Sequence, residues 1–147
     1  MKLLIPDTYV DYDTYRFPFK GQGLPRVSSG FGSRFHPILR FTRFHEGLDF
    51  PKSYGTSVYP SRSGRVQFAG WQEGYGRLVI IRHGDGATTR YGHLSAIGVK
   101  KGQWVSRAKT LIGKVGQSGL STGPHLHFEV RDRFGKPLNP SRKIGRK

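Results

Sequence analysis

From residue 57 onward, apolar and polar residues fall into short runs that predict strands rather than helices. The runs 57–59, 64–69, 77–83, 88–93, 111–115 and 125–131 are rich in β-branched and aromatic residues, with glycine-containing turns between them. In the last of them Leu126, Phe128 and Val130 alternate with His125 and His127, so the two imidazoles share one face of a strand and the apolar residues share the other. Between two runs, Arg82-His83-Gly84-Asp85-Gly86-Ala87 is a hairpin signal, because Asp-Gly accepts the positive φ values of a tight turn. That turn places His93 on the strand leaving it. Twenty-one Gly and nine Pro leave little room for a long helix. The expected fold is all-β or β-rich, a single domain with an antiparallel sheet core and long loops bordering a groove.

The first 25 residues differ in character. Tyr9, Tyr12, Tyr15, Phe17 and Phe19 are too many aromatics for a disordered tail, so residues 1–25 are read as an extended arm packing on a body formed by 26–147. Asp7, Asp11 and Asp13 make the arm acidic. The whole chain has a formal charge of +16, so everything after residue 15 is a polycation at +18. Such a surface concentrates polyanions by a screened attraction and says little about chemistry. A nucleic-acid-binding domain would rest on that charge alone, since no binding motif is present and the aromatics are scattered; no specific nucleic-acid partner is expected. The basic stretch 141–147 is read as a frayed tail.

A length of 147 residues fits one domain with an ordinary core, and the absence of cysteine rules out both a disulfide scaffold and a thiolate-held zinc. Met1-Lys2-Leu3-Leu4-Ile5 stops at Pro6, short of the roughly 7–15 apolar residues of an export signal. The longest aliphatic run, 78–81, is far below the roughly 20 residues that span a bilayer. A soluble monomer without a visible signal peptide is expected.

Candidate chemistry lies in three histidine-bearing segments: His45-Glu46-Gly47-Leu48-Asp49, Tyr91-Gly92-His93-Leu94 and Gly123-Pro124-His125-Leu126-His127-Phe128-Glu129. Catalytic zinc takes three nitrogen or carboxylate ligands and keeps a fourth position open. His45, Asp49 and one of His125 and His127 would supply that set. His93 and the other member of the pair would then handle protons. Residue physics alone leaves the choice within the pair open. A helical His-Glu-x-x motif with Glu46 as base conflicts with Gly47 inside it and Pro51 after it, so Glu46 is read as a solvated loop carboxylate. Ser118, Ser121 and Thr122 are read as groove-loop residues rather than nucleophiles, and His83 as structural. Arg34 and Tyr75 are left out of the catalytic set.

In order along the chain, Ser29-Gly30-Phe31-Gly32-Ser33-Arg34-Phe35-His36-Pro37, His45-x-Gly47-x-Asp49, Tyr91-x-His93-Leu94, Gly116-Gln117-Ser118-Gly119 and Ser121-Thr122-Gly123-Pro124-His125-Leu126-His127-Phe128-Glu129 resemble the lysostaphin-type, or LytM-like, zinc metallopeptidases. The resemblance spans about residues 27–140. It implies one Zn2+ per chain held by His45, Asp49 and His127, with His93 and His125 as the catalytic pair. It also implies hydrolysis of peptide bonds in bacterial peptidoglycan, at a cross-link or a bridge. His36 belongs to the family wording as a residue packing behind the metal loop. The basic surface would then meet anionic envelope polymers, and the protein would act at the cell wall, in the periplasm, outside the cell or on a virion. The small size and missing signal suggest a phage-type origin, that of an endolysin. Some relatives of this family lack metal ligands and act as wall-binding or amidase-activating modules, whereas every ligand position is filled here. In others an N-terminal segment blocks the metal, a role an aspartate of the acidic arm could take.

Overall fold

The computed structural model describes residues 15–21, 25–36, 38 and 41–144, without the side chains of 34–36 and 41–43. Among the described residues there is no α-helix. The strands are β1 (Gly32–His36), β2 (Phe41–His45), β3 (Leu48–Pro51), β4 (Ser57–Val58), β5 (Gly64–Gln72), β6 (Gly76–Arg82), β7 (Thr88–Ile97), β8 (Trp104–Val105), β9 (Gly113–Val115), β10 (His125–Arg131) and β11 (Pro137–Leu138), followed by a 3-10 turn at Pro140–Arg142. The fold is all-β with an antiparallel sheet core, as the alternation predicts. β1 and β2 form a separate hairpin, and the main sheet runs β11-β10-β7-β6-β5-β8, with β3 on β10 and β9 between β7 and β4.

β10 matches its predicted bounds and organises the molecule. It lies against β7 along one side and shares the other between β3 and β11. Its odd-numbered residues carry the polar groups. Leu126, Phe128 and Val130 are fully buried beside Phe50, Tyr91 and Leu94. Burying such side chains contributes roughly 1.5–3 kcal/mol each, which fixes the register, because a one-residue slip would turn the histidines into the core. β5 and β7 extend the predicted runs and β6 is shifted from its own by one residue, while β1, β2, β3, β8 and β11 were not predicted.

Tyr15 is buried, with its ring against His83 at 5.9 Å and its hydroxyl accepting from Arg62 at 2.8 Å. Phe17 and Phe19 set their edges on Phe50. The arm's aspartates lie outside the described residues. Residues 141–144 do not fray: Ile144 is buried and bridges to Tyr15, a partner 129 positions away that the basic composition of the tail conceals. No helix among the described residues is long and apolar enough to cross a membrane.

Candidate metal centre

The five expected site residues arrive from four strands. His45 ends β2 and Asp49 lies in β3, either side of the tight connection Glu46-Gly47. This is a strand-to-strand corner, not a helix. A Cβ on Gly47 would overlap the Phe128 carbonyl oxygen, so only glycine lets the corner press against β10. Across that contact His127 pairs with Asp49 in register. His93 sits where the β6–β7 register shifts, with φ of 62°, a left-handed conformation uncommon for a side-chain-bearing residue. Its N–H donates to the Tyr75 carbonyl at 2.7 Å, which holds the bulge.

Hydrogen-bond partners fix which ring nitrogen each imidazole presents. A carbonyl only accepts, so Nδ1 carries the proton in His45 (to Gly30, 2.8 Å), His93 (to Ser118, 2.6 Å) and His125 (to Gly123, 2.9 Å). Nε2 is then the lone-pair nitrogen in all three. His127 is reversed: its Nε2 donates to Glu129 Oε2 at 2.7 Å and its Nδ1 faces Asp49 Oδ1 at 2.9 Å. His125 Nε2 stands 3.7 Å from the same Asp49 oxygen, and the His93 and His125 rings are 4.7 Å apart. Ser121 Oγ lies 3.4 Å from His125 Nδ1, but that nitrogen's proton is committed to Gly123, so His125 cannot activate it as a nucleophile.

His45 Nε2, His127 Nδ1 and an Asp49 oxygen form a metal-competent triad, their ligand atoms all within 4.8 Å of one another. The closest approaches are 2.9 to 3.3 Å. Donors around a tetrahedral zinc with bonds of about 2.0–2.1 Å stand about 3.3–3.4 Å apart, so nitrogen and carboxylate donors at this spacing suit zinc. Electrostatics agrees. Burial opposes ionisation of Asp49, yet the adjoining His127 and His45 imidazoles prevail and hold its carboxyl far below the usual range. Burial also disfavours charge on His127, but Asp49 and Glu129 override it and push the imidazole up to about 9. Without a metal, a proton on Nδ1 therefore faces Asp49, and metal uptake must displace it. Burial, then the neighbouring His125 and His127, push His93 down to about 4, so it is a neutral base near pH 7.

These groups open into a groove of about 480 Å³ with Ile38, Phe44 and Leu120 as apolar walls and Ser121 and Thr122 along one lip. Among the described residues no lysine or arginine lines it, in a chain carrying 25 of them. Of the other lining residues, Glu129 accepts from Tyr75 Oη at 2.6 Å and from Arg131 Nε at 2.8 Å, and Arg131 reaches Glu46 at 2.7 Å. Glu46 is thus an ion-paired residue rather than a free loop carboxylate. The side chains of Arg34 and His36 lie outside the described residues. Sequence reasoning assigned no role to Glu129, Arg131 or Tyr75. Extending the parity of His125 and His127 by two and four residues would have found the first two, whereas Tyr75 arrives from the β5–β6 turn and had no local signal.

Known proteins resemble this chain in sequence and in fold. The DD-carboxypeptidase/endopeptidase Mpg of Neisseria meningitidis serogroup B is 48% identical over 78% of the chain, and the peptidoglycan DD-endopeptidase ShyA of Vibrio cholerae is 46% identical over 78%. The chain spans only about a quarter of each, 26% of their length. The catalytic domain of the antimicrobial peptidase lysostaphin from Staphylococcus simulans superposes with a TM-score of 0.72 at 31% identity, over 80% of this chain and 90% of that one. Residues 43–140 match peptidase family M23, and since this span holds all of His45, Asp49, His93, His125 and His127, the chain belongs to that family.

Proposed function

We propose that this protein is a zinc-dependent endopeptidase that hydrolyses peptide bonds of bacterial peptidoglycan, and that it acts at the cell wall. The observation carrying the reading is the convergence of four imidazole nitrogens and one carboxylate on a single point of an open groove. His45, Asp49 and His127 would hold one zinc ion per chain, and all three come from the same chain, so a monomer suffices. A zinc ion supplies Lewis acidity toward a carbonyl oxygen and makes water acidic enough to attack near neutral pH.

The rest is the work of this chain's side chains. His93 and His125 each present Nε2 to the groove with Nδ1 anchored on a carbonyl. Either nitrogen can take a proton from attacking water, stabilise the oxyanion once protonated, and return the proton to the leaving amine. The apolar walls offer contacts to the apolar parts of a peptide, and the lip residues Ser121 and Thr122 offer hydrogen bonds to its backbone. ShyA, by its name, is a peptidoglycan DD-endopeptidase, and that supports the substrate class. Outside the groove, the net charge of +16 draws anionic wall polymers by a salt-sensitive attraction.

Turbidity of a purified peptidoglycan suspension tests this reading. Clearing by the zinc-loaded protein, arrested by a chelator and restored by zinc, is the expected result. No clearing by protein that holds one zinc would reject it.

A further inference from the structure

We propose that Glu129 and Tyr75 form a positioning strut that selects the ring nitrogen His127 turns toward the metal and ties this ligand to His93. The inference rests on the reading that His45, Asp49 and His127 hold zinc.

Glu129 is 1% exposed and almost fully engaged. Its Oε2 receives both His127 Nε2 at 2.7 Å and Tyr75 Oη at 2.6 Å. Its Oε1 receives Arg131 Nε at 2.8 Å, with Arg90 Nε at 3.9 Å. Donors on both oxygens leave the carboxylate no rotation that keeps its bonds. A free imidazole can present either nitrogen, and the other three groove histidines present Nε2. His127 alone presents Nδ1, because Glu129 takes the proton on its Nε2. The reversal belongs to Glu129 rather than to the backbone. Tyr75 carries the strut across the site. Its hydroxyl holds Glu129, its ring lies 5.7 Å from that of His127, and its carbonyl receives the N–H of His93 at the left-handed bulge. One residue therefore touches a proposed metal ligand and a proposed proton carrier.

A glutamine at 129 cannot reproduce this. With its oxygen toward His127 its NH2 confronts Arg131. With its NH2 toward His127, the imidazole must accept at Nε2, and its own proton moves to Nδ1, the atom facing the metal. Either orientation weakens the ligand set, and the neighbours that orient a metal-bound imidazole typically contribute ten- to a hundredfold in metal affinity.

Zinc affinity by chelator competition, on the full chain, tests the strut with Glu129→Gln, Tyr75→Phe and the double variant, beside thermal unfolding of the metal-stripped proteins. Glu129→Gln is expected to lose about ten- to a hundredfold in affinity. Tyr75→Phe should lose less, and the double variant should lose no more than Glu129→Gln alone. A folded Glu129→Gln that binds zinc like the wild type overturns the proposal, as do losses that simply add. If Glu129→Gln does not fold, Tyr75→Phe carries the test alone, since it removes only a hydroxyl: undiminished affinity there overturns the strut. A wild-type chain that takes up no zinc overturns the metal reading itself.

Discussion

Two buried histidine environments in this molecule use the same chemistry to opposite ends. Around His83 the hydrogen bonds run in one direction and close inside the core. The Ser61 N–H donates to Tyr91 Oη, Tyr91 to Thr89, Thr89 to His83 Nε2, and His83 Nδ1 to the Ser63 carbonyl. Both ring nitrogens are consumed, and burial, the leading cause, pushes the imidazole down to about 4. In the groove each histidine has one nitrogen anchored by a carbonyl or a carboxylate while the other points at a shared centre. Burial and a low pKa do not separate the two, since His93 is also pushed down to about 4. What the second nitrogen faces does. A histidine whose two partners both lie in the core holds a fold together, and one whose second nitrogen faces other donors at an open groove is poised for a proton or a metal.

Breaking the groove set at its ligands should have the largest effect. Asp49→Ala or His127→Ala is expected to abolish both zinc uptake, read by metal analysis, and peptidoglycan clearing. Next, His93→Ala and His125→Ala should each lower turnover by about 10²–10⁴-fold while one zinc per chain is retained. Zinc lost along with activity would place them among the ligands instead.

His83→Ala sharpens the comparison from the other side. Stranding the Thr89 hydroxyl and the Ser63 carbonyl should cost about 1–3 kcal/mol in stability, seen by denaturant unfolding, with turnover of the folded protein unchanged. The same residue sets an acid limit. Its folded pKa is depressed from 6.5 to about 4, so between these values the unfolded chain binds a proton the folded one refuses. Its contribution is therefore complete above pH 6.5 and declines as the pH falls toward 4, and His83→Ala should flatten that part of the pH–stability curve. Smallest of all, Glu46→Ala removes a partly exposed carboxylate paired with Arg131 and should leave activity largely intact, at a stability cost below about 1 kcal/mol. An inactive Glu46→Ala would make that residue the base.

The legible parts of this molecule were those whose signal is local. Strict alternation fixed β10 to the residue and put His125 and His127 on one face. The Asp-Gly hairpin led correctly to His93, but no periodicity marks the bulge that turns it inward, because the bulge is held by Tyr75 from another hairpin. β8 and β11, two residues each, are too short to alternate. The ion pair of Glu46 with Arg131 crosses 85 positions, and a loop carboxylate in sequence carries no mark of such a partner. His45 and Asp49 were recognisable as a motif, yet their placement on two strands around Gly47 follows from the close approach of Phe128, which only the fold supplies.

The most direct measurement is mass spectrometry of the fragments released from purified peptidoglycan by the zinc-loaded protein, beside a metal-stripped sample and His125→Ala. New amino termini at one peptide linkage, absent from both controls, are expected. Intact peptides after incubation with protein carrying one zinc per chain would contradict the account and leave the groove a binding surface rather than a catalytic one.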